Sequence, residues 1–308
     1  MNLSFTNGVI SAGFDRLLTD SHFAAFSNLS QSDFLDMLKT HQYGLTFSKN
    51  FEQTMLEEEY KHKLFLESLI DKKHIIFEVL YIKFNHLFLA SLLKSFHLGV
   101  KYTPMMHGLT TYHETAFIDY IIYDNAKALD FDDKVFLDDL IKETSNLDAQ
   151  GISDKIIQIL HSNLLKKLNT KKIDASIKNY YETYTMIENV LYFIRAKKYK
   201  FSYEKVEENI LKNSLIDKSI ILSYYDLDLS QFGEYLKLHF NDEIVNVFKD
   251  TEAFDFLSKV YAKLDLAMSK LLGNFAFDNQ TFGLMIYFTI KKREEIIRLK
   301  QMYYGVEV

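Results

Sequence analysis

The sequence predicts an all-α protein, and three observations carry that reading. Only 1 proline and 10 glycines occur in 308 residues. Average usage would give about 15 and about 22, so breakers are scarce and long helices with few tight turns are expected. Strict alternation of apolar and polar residues, the pattern of a half-buried strand, is nearly absent. Apolar residues recur instead at helical spacing along most of the chain, with Ser and Asp standing in cap positions.

The elements follow in order. The Asn7-led run NGVISAGFDRLL reads as a helix. In SQSDFLDMLKTHQYG, Phe34, Met37 and Leu38 share one face behind Ser and Asp cap candidates. Helices are expected over 52–70 and 75–96, parted by DKKH, then over 112–129 and 132–144. The pattern continues over 151–168, 176–198, 203–213, 244–272 and 280–304. About a dozen or more helices result. Pro104, the sole proline, marks an interruption. No linker rich in Gly, Pro or Ser divides the chain.

Composition excludes several classes. There is no Cys, so neither a disulfide framework nor a thiolate ligand or nucleophile is available. A net charge of −6 argues against non-specific nucleic-acid binding through overall charge. The absence of Trp and the heavy use of Lys, Ile, Asn, Phe and Tyr read as compositional drift. The opening MNLSFTNGVISAGF has no basic region ahead of an apolar core and does not read as a signal peptide. The longest apolar stretch, IIFEVLYIKFNHLFLASLLKSF, carries Glu78, Lys83, Asn85 and His86, which suits a buried or amphipathic helix better than a membrane span. A soluble chain is expected, with any membrane association made through a partner.

Two short patterns repeat. SDFLDMLK (Ser32 to Lys39) and SQFGEYLK (Ser230 to Lys237) share S-x-F-x-[DE]-x-L-K. An Asn recurs at or inside apolar helices, at Asn7, Asn85 and Asn189. The Asn pattern precedes the S-x-F pattern in both the N-terminal and the third-quarter copies. Apolar helices resemble one another, so chance stands against duplication; the shared order favours duplication.

Chemical motifs are thin. HETAF, from His113, lacks the second His of a zincin because position 117 is Phe. DFDDKVFLDDL, from Asp130, lacks the Gly and the closing Glu of a calcium loop and reads as the acidic start of a helix. His62, His74, His86 and His97 recur every eleven or twelve residues, about 15 Å or more apart along a continuous helix, too far for one metal. No nucleophile elbow, P-loop or G-x-G-x-x-G occurs. Carboxylate runs such as Glu57 to Glu59 and Glu207-Glu208 sit in helix faces rich in other charges and mean little without a pocket, and RAKKYK (Arg195 to Lys200) reads as a solvated basic helix end.

The closing stretch YFTIKKREEIIRLKQMYYGVEV is the densest in charge. On a helical wheel Met285, Phe288, Ile296, Leu299 and Tyr303 share a face, and Lys292 falls in its middle with Glu295 at i+3. Two readings stand: a lysine that snorkels at the edge, or a buried ion pair that fixes how the helix docks. If the helix is a docking seam, Lys292→Met leaves folding largely intact or improves it. If Lys292 is a site residue, activity vanishes while the fold stays sound.

The closing run resembles the end of the C subunit of V-type/A-type rotary ATPases, called the d subunit in vacuolar enzymes. Lys292, Glu295, Ile296, Leu299, Met302 and Gly305 fit that ending, whereas Arg293, Arg298 and Lys300 replace its usual residues. NGVISAGFDRLLTDSHFAAFSNLSQSDFLDMLKTHQYG resembles the family's opening, with Thr40, Tyr43 and Gly44 near its end and Val9 and Ser11 where basic residues are usual. IENVLYFIRAKKYKFS resembles its central motif through Asn189, Arg195, Ala196 and Lys197, and the Asn85 helix its other internal copy.

The resemblance implies three similar helical modules around a pseudo-threefold axis, forming a funnel, with approximate bounds 1–72, 73–175 and 176–308. It implies a non-catalytic rotor subunit on the cytoplasmic face of the membrane, between the central shaft and the ion-carrying ring. No catalytic residue, cofactor or metal is then expected. The structural or partner-contact candidates are Asn7, Asn85, Asn189, Arg195, Lys197, Lys292 and Glu295. Two other readings stay open: an all-helical enzyme or small-molecule-binding protein whose pocket gathers Lys292, Glu295 and another titratable group, and an unrelated helical scaffold.

Overall fold

The computed structural model describes residues 3–44, 50–103, 108–170, 172–240, 242–252 and 256–305. The protein is 74% helical, with no strand among the described residues. Its helices fall into two compact units, Met1–His62 with Asp174–Val308, and Lys63–Ile173.

The first unit holds α1 (Leu3–Gly13), α2 (Asp20–Phe26), α3 (Gln31–Thr40) and most of α4 (Phe51–Glu67). Short polar side chains start these helices: Thr19 accepts from the His22 N–H in a capping box, and Ser30 accepts from the Asp33 N–H. Phe23, Phe26, Phe34, Leu38, Phe51 and Met55 then form one core cluster with Ile296 and Leu299 of the C-terminal helix.

The second unit contributes α5 (Ile75–Leu80), α6 (Ile82–Leu98), α7 (Glu114–Tyr123), α8 (Phe131–Thr144) and α9 (Ala149–Thr170). Its core is one apolar cluster of Leu89, Leu92, Leu93, Phe117, Leu137, Leu140, Ile152 and Ile156. Asp130 caps α8 by accepting from the Asp133 N–H at 2.8 Å, so the acidic run does start a helix. His113 likewise caps α7.

The first unit resumes with α10 (Ala175–Lys198), α11 (Tyr203–Asn209), α12 (Lys218–Ser223), α13 (Leu229–Leu236), α14 (Asp242–Val247), α15 (Phe256–Leu271) and α16 (Gly283–Tyr304). α10 buries residues on every side, including Ile177, Tyr181, Met186, Val190 and Phe193, as a central helix must. It packs against α15 and α16. α16 ends at Gly305, whose φ of 65° places it in the left-handed region that suits glycine.

Several expectations need correction. The helix expected over 75–96 is two, because Tyr81 leaves helical geometry at φ −109°, ψ 15°. The periodicity ran through the break because the bonds continue on both sides: Tyr81 N–H reaches Phe77 and Asn85 N–H reaches Tyr81. The four evenly spaced histidines therefore share no continuous helix; His62 lies in α4, His74 caps α5, and His86 and His97 lie in α6. The helix expected over 244–272 is also two. Phe248 packs so closely on Gly233 of α13 that no Cβ would fit there, and a 3-10 turn at Phe248–Asp250 parts α14 from α15. α12 was not expected at all. Pro104, expected to interrupt the chain, lies outside the described residues.

The two S-x-F copies are alike in structure. Phe34 and Leu38 in α3, and Phe232 and Leu236 in α13, are buried. On the opposite face Lys39 pairs with Asp36 at 2.7 Å, and Lys237 pairs with Glu234.

Candidate functional site

α16 buries Met285, Phe288, Ile296 and Leu299 as its spacing predicted, with Tyr303 half-buried. Lys292 lies within that stripe at 9% exposure and Glu295 at 4%, so the snorkelling reading is set aside. The Lys292 ammonium donates to Glu295 Oε1 at 2.7 Å, to the Tyr43 hydroxyl at 2.9 Å and to Glu58 Oε2 at 3.4 Å. It also sits 4.4 Å from the centre of the Tyr43 ring.

The partners are themselves engaged. Tyr43 donates to Glu295 Oε1, Glu295 Oε2 accepts the Leu18 N–H, and Glu58 Oε1 accepts from Lys61 at 2.7 Å. All three ammonium protons of Lys292 thus have acceptors. Burial first, then the Glu295 and Glu58 carboxylates, holds the Tyr43 hydroxyl far above its usual range, so it remains a donor. The network ties α16 to α4, to the segment after α3 and to the turn before α2.

A second pair lies beside it. Arg293 binds Glu59 through two nitrogens, at 2.7 and 2.8 Å, and donates to the Tyr180 hydroxyl at 3.2 Å. His62, one turn along α4, shares a hydrogen bond with the Thr289 hydroxyl at 3.0 Å and packs on Phe288. Burial, then the Lys292 and Arg293 charges, pushes its pKa well below 6.5 and keeps it neutral.

Sequence reasoning found Lys292 and Glu295 but missed most of their partners. Glu58 and Glu59 read only as part of a charge-rich helix face and are 7% and 4% exposed. A signal was present: Met55, Glu58, Glu59, His62 and Leu66 follow one another at helical spacing, a stripe with polar inserts like that of α16. The expectation for Lys292→Met also changes, because its removal would leave the buried Glu295 carboxylate without its cation.

The three asparagines are buried and bind backbone. Asn85 accepts the Thr111 N–H at 2.8 Å and donates to the Thr111 hydroxyl at 2.9 Å. Asn189 accepts the Leu211 N–H and donates to the Leu211 carbonyl, both at 2.8 Å. Each clamps one residue of a later segment at two points. Asn7 differs: it donates to the carbonyls of Asn279 and Thr281, ahead of α16, at 3.0 and 3.1 Å. Arg195 lies over the Tyr192 ring at 5.5 Å, while Lys197 donates to the Tyr225 carbonyl and Lys198 to that of Thr251 at 2.8 Å. The basic end of α10 therefore fastens two loops rather than standing in solvent. Arg195 and Lys197 are not brought to Lys292 by any described contact.

A groove of about 750 Å³ opens along α16, lined among others by Leu18, Lys263, Glu294, Glu295 and Arg298. Glu295 reaches it from beneath; Lys292 does not line it. Among the described residues no group of three carboxylates or imidazoles is placed to hold a metal ion, and no helix is long and apolar enough to cross a membrane. No known family model matches the chain, and no curated protein is significantly similar to it.

Proposed function

We propose that the chain is a non-catalytic rotor subunit of a V/A-type rotary ATPase, taking the place that the C subunit holds in that family and coupling the central shaft to the membrane ion-translocating ring. One observation supports this above others. Tyr43, from the motif resembling the family's opening, and Lys292 and Glu295, from the motif resembling its ending, share one buried cluster although about 250 residues separate them. A chance likeness at each end of an unrelated helical chain gives no reason for these residues to meet.

The internal motifs add weight. The Asn85 and Asn189 clamps and the two S-x-F helices are what three related helical modules would contain. The middle module, 73–175, nearly coincides with the compact unit Lys63–Ile173. A torque-bearing part needs helices that do not slip in register, and directional buried ion pairs resist slippage better than apolar contact alone. The subunit would sit at the cytoplasmic face of the membrane through its complex. Affinity purification from the source cell should recover a membrane ATPase, and deleting the chain should uncouple ATP hydrolysis from ion transport. Coupled pumping that persists in the deletion strain overturns the proposal.

A second reading, a small-molecule-binding protein or enzyme, is favoured by the groove beside Glu295, whose volume suits a ligand. It requires Lys292 in that pocket as well. A Glu294→Gln variant that loses a measured ligand affinity without loss of stability would support it.

A further inference from the structure

Two imidazoles meet at the edge of the ion network. His22 stands in the first turn of α2 and His41 follows the last residue of α3, with ring centres 4.7 Å apart. Both are half-buried, and the buried Phe26 ring lies 5.8 Å from that of His41. His22 also caps its own helix. Its Nδ1 accepts the Thr19 N–H at 3.1 Å, while the Thr19 hydroxyl accepts the His22 N–H at 3.4 Å. This is a capping box with histidine where Glu or Gln is usual. A ring nitrogen that accepts an N–H carries no proton, so the neutral ring holds its proton on Nε2. A proton added at Nδ1 turns that acceptor into a donor facing the Thr19 N–H, and the box is lost.

The two histidines lie on the two segments that close over Glu295. Leu18, next to Thr19, gives its N–H to Glu295 Oε2. Tyr43, two residues after His41, gives its hydroxyl to Glu295 Oε1. The charges nearby are already matched to one another. On α16, Glu295 faces His41 but is held by Lys292, and Arg298 pairs with Asp20 of α2. On α4, Lys61 reaches the Gln42 carbonyl at 3.4 Å and pairs with Glu58. On α3, Lys39 pairs with Asp36. Each of these carboxylates thus has a cation other than a histidine. Burial first, then the His22 charge, lowers the His41 pKa from 6.5, and Glu295 opposes both without reversing the sign.

We infer that His22 and His41 form an acid-operated latch, which keeps segments 17–22 and 40–43 closed over Glu295 at neutral pH and releases them in mild acid. The closed form needs His22 neutral and holds His41 neutral. In acid the Thr19 N–H loses its acceptor, and two imidazolium rings repel each other at 4.7 Å. The open form takes up protons first, because a free imidazole titrates near 6.5. The closed form is therefore fully favoured above that pH and loses ground below it. Release uncovers the Glu295 carboxylate and the wall of the groove made by Leu17, Leu18 and Phe23. The inference stands apart from the rotor reading, since it follows from two side chains and its test needs no ATPase.

The test is hydrogen exchange of the full chain, read at the Leu18, Thr19 and Tyr43 amides. Between pH 7.5 and pH 5.5, corrected for the chemical rate, their opening should rise by up to about tenfold for each histidine. His22→Gln keeps an acceptor for the Thr19 N–H and does not titrate. It should leave the protection at pH 7.5 as it is and cut the acid rise about threefold or more. With His41→Gln added, the rise should vanish. The Val190 amide of α10 reports global opening and should respond alike in all three proteins. A rise that persists in the double variant overturns the inference, as does no rise in the wild type. Should the double variant fail to fold, His22→Gln alone and an NMR titration of the wild type decide it. Protonation of both rings without a change at the Leu18 and Thr19 amides also overturns the latch.

Discussion

In the unit Lys63–Ile173 the core cluster is apolar: Leu89, Leu92, Leu137, Leu140, Ile152 and Ile156 are shielded from solvent, and α6 and α8 both pack on α9. Its buried Lys63 donates to the carbonyls of Gly108 and Thr110 at 2.7 and 2.6 Å. In the unit that joins the two ends of the chain, buried positions also carry Lys292, Glu295, Glu58, Glu59 and His62. The contrast separates two ways of fixing a helix. Apolar burial supplies free energy but tolerates small shifts, whereas a closed set of ion pairs supplies little net stability and penalises every shift that opens it.

Breaking the network should have the largest effect. Lys292→Met leaves Glu295 buried without its cation, while Glu58 keeps Lys61, and should destabilise by about 3–5 kcal/mol in urea unfolding. Lys292→Met with Glu295→Leu should recover a good part of that loss, although Leu18 and Tyr43 still lose their acceptor. Leu140→Ala in the other unit is the control: a loss of about 2–5 kcal/mol that no second substitution of charge repairs. If the double variant is no more stable than the single one, the seam is not an ion network in energetic terms.

The asparagine clamps come next. Asn85→Ala and Asn189→Ala each strand a backbone N–H, of Thr111 and Leu211, and should cost about 1–3 kcal/mol. Asn7→Ala should cost less, since it removes donors from carbonyls and strands no N–H. Equal losses at all three sites in thermal unfolding would remove the distinction drawn between them.

Acid should sharpen the comparison through one histidine in each unit. His62 is held neutral by burial and by Lys292 and Arg293; burial and the nearby His86 push the His161 pKa down to about 3. The unfolded chain takes up these protons first as pH falls below 6.5. Stability is therefore full above that pH and declines below it, by about 1.4 kcal/mol per pH unit for each histidine that stays neutral. His62→Gln, which keeps a hydrogen-bonding side chain opposite Thr289, should flatten the decline in melting temperature between pH 6.5 and pH 4.5, to about half if His161 supplies the rest. An unchanged slope would mean that His62 is not neutral in the fold.

The fold class was legible because it rests on spacing and on the want of breakers, which are local properties. Helix ends were legible where a short polar side chain caps them, as at Ser30, Asp130 and Asp174. The breaks at Tyr81 and Phe248 were not, since the apolar period runs on through both, and at Phe248 the close contact with Gly233 of α13 is distant in sequence. At the site, the Lys292 to Glu295 pair lies within one helix and could be read at i+3. Tyr43 and Glu58 lie about 250 and about 230 residues away in sequence, and the matching polar inserts in the α4 and α16 stripes pointed only to Glu58.

The smallest effects should come from the charges that make the end of the chain conspicuous. Arg298 pairs with Asp20 and Lys300 with Glu52, each at 2.7 Å, with Tyr304 also donating to Glu52. These side chains are largely in solvent, where such pairs contribute about 0.2–1 kcal/mol and are screened by salt. Lys300→Gln should therefore change unfolding by less than about 1 kcal/mol, and the difference should vanish at high ionic strength. Lys292→Met, two turns away on the same helix, should lose stability at any salt concentration because its partners are shielded from the solvent ions. A salt-independent loss for Lys300→Gln would place that pair inside the seam and extend the ion network to the C-terminal turn of α16.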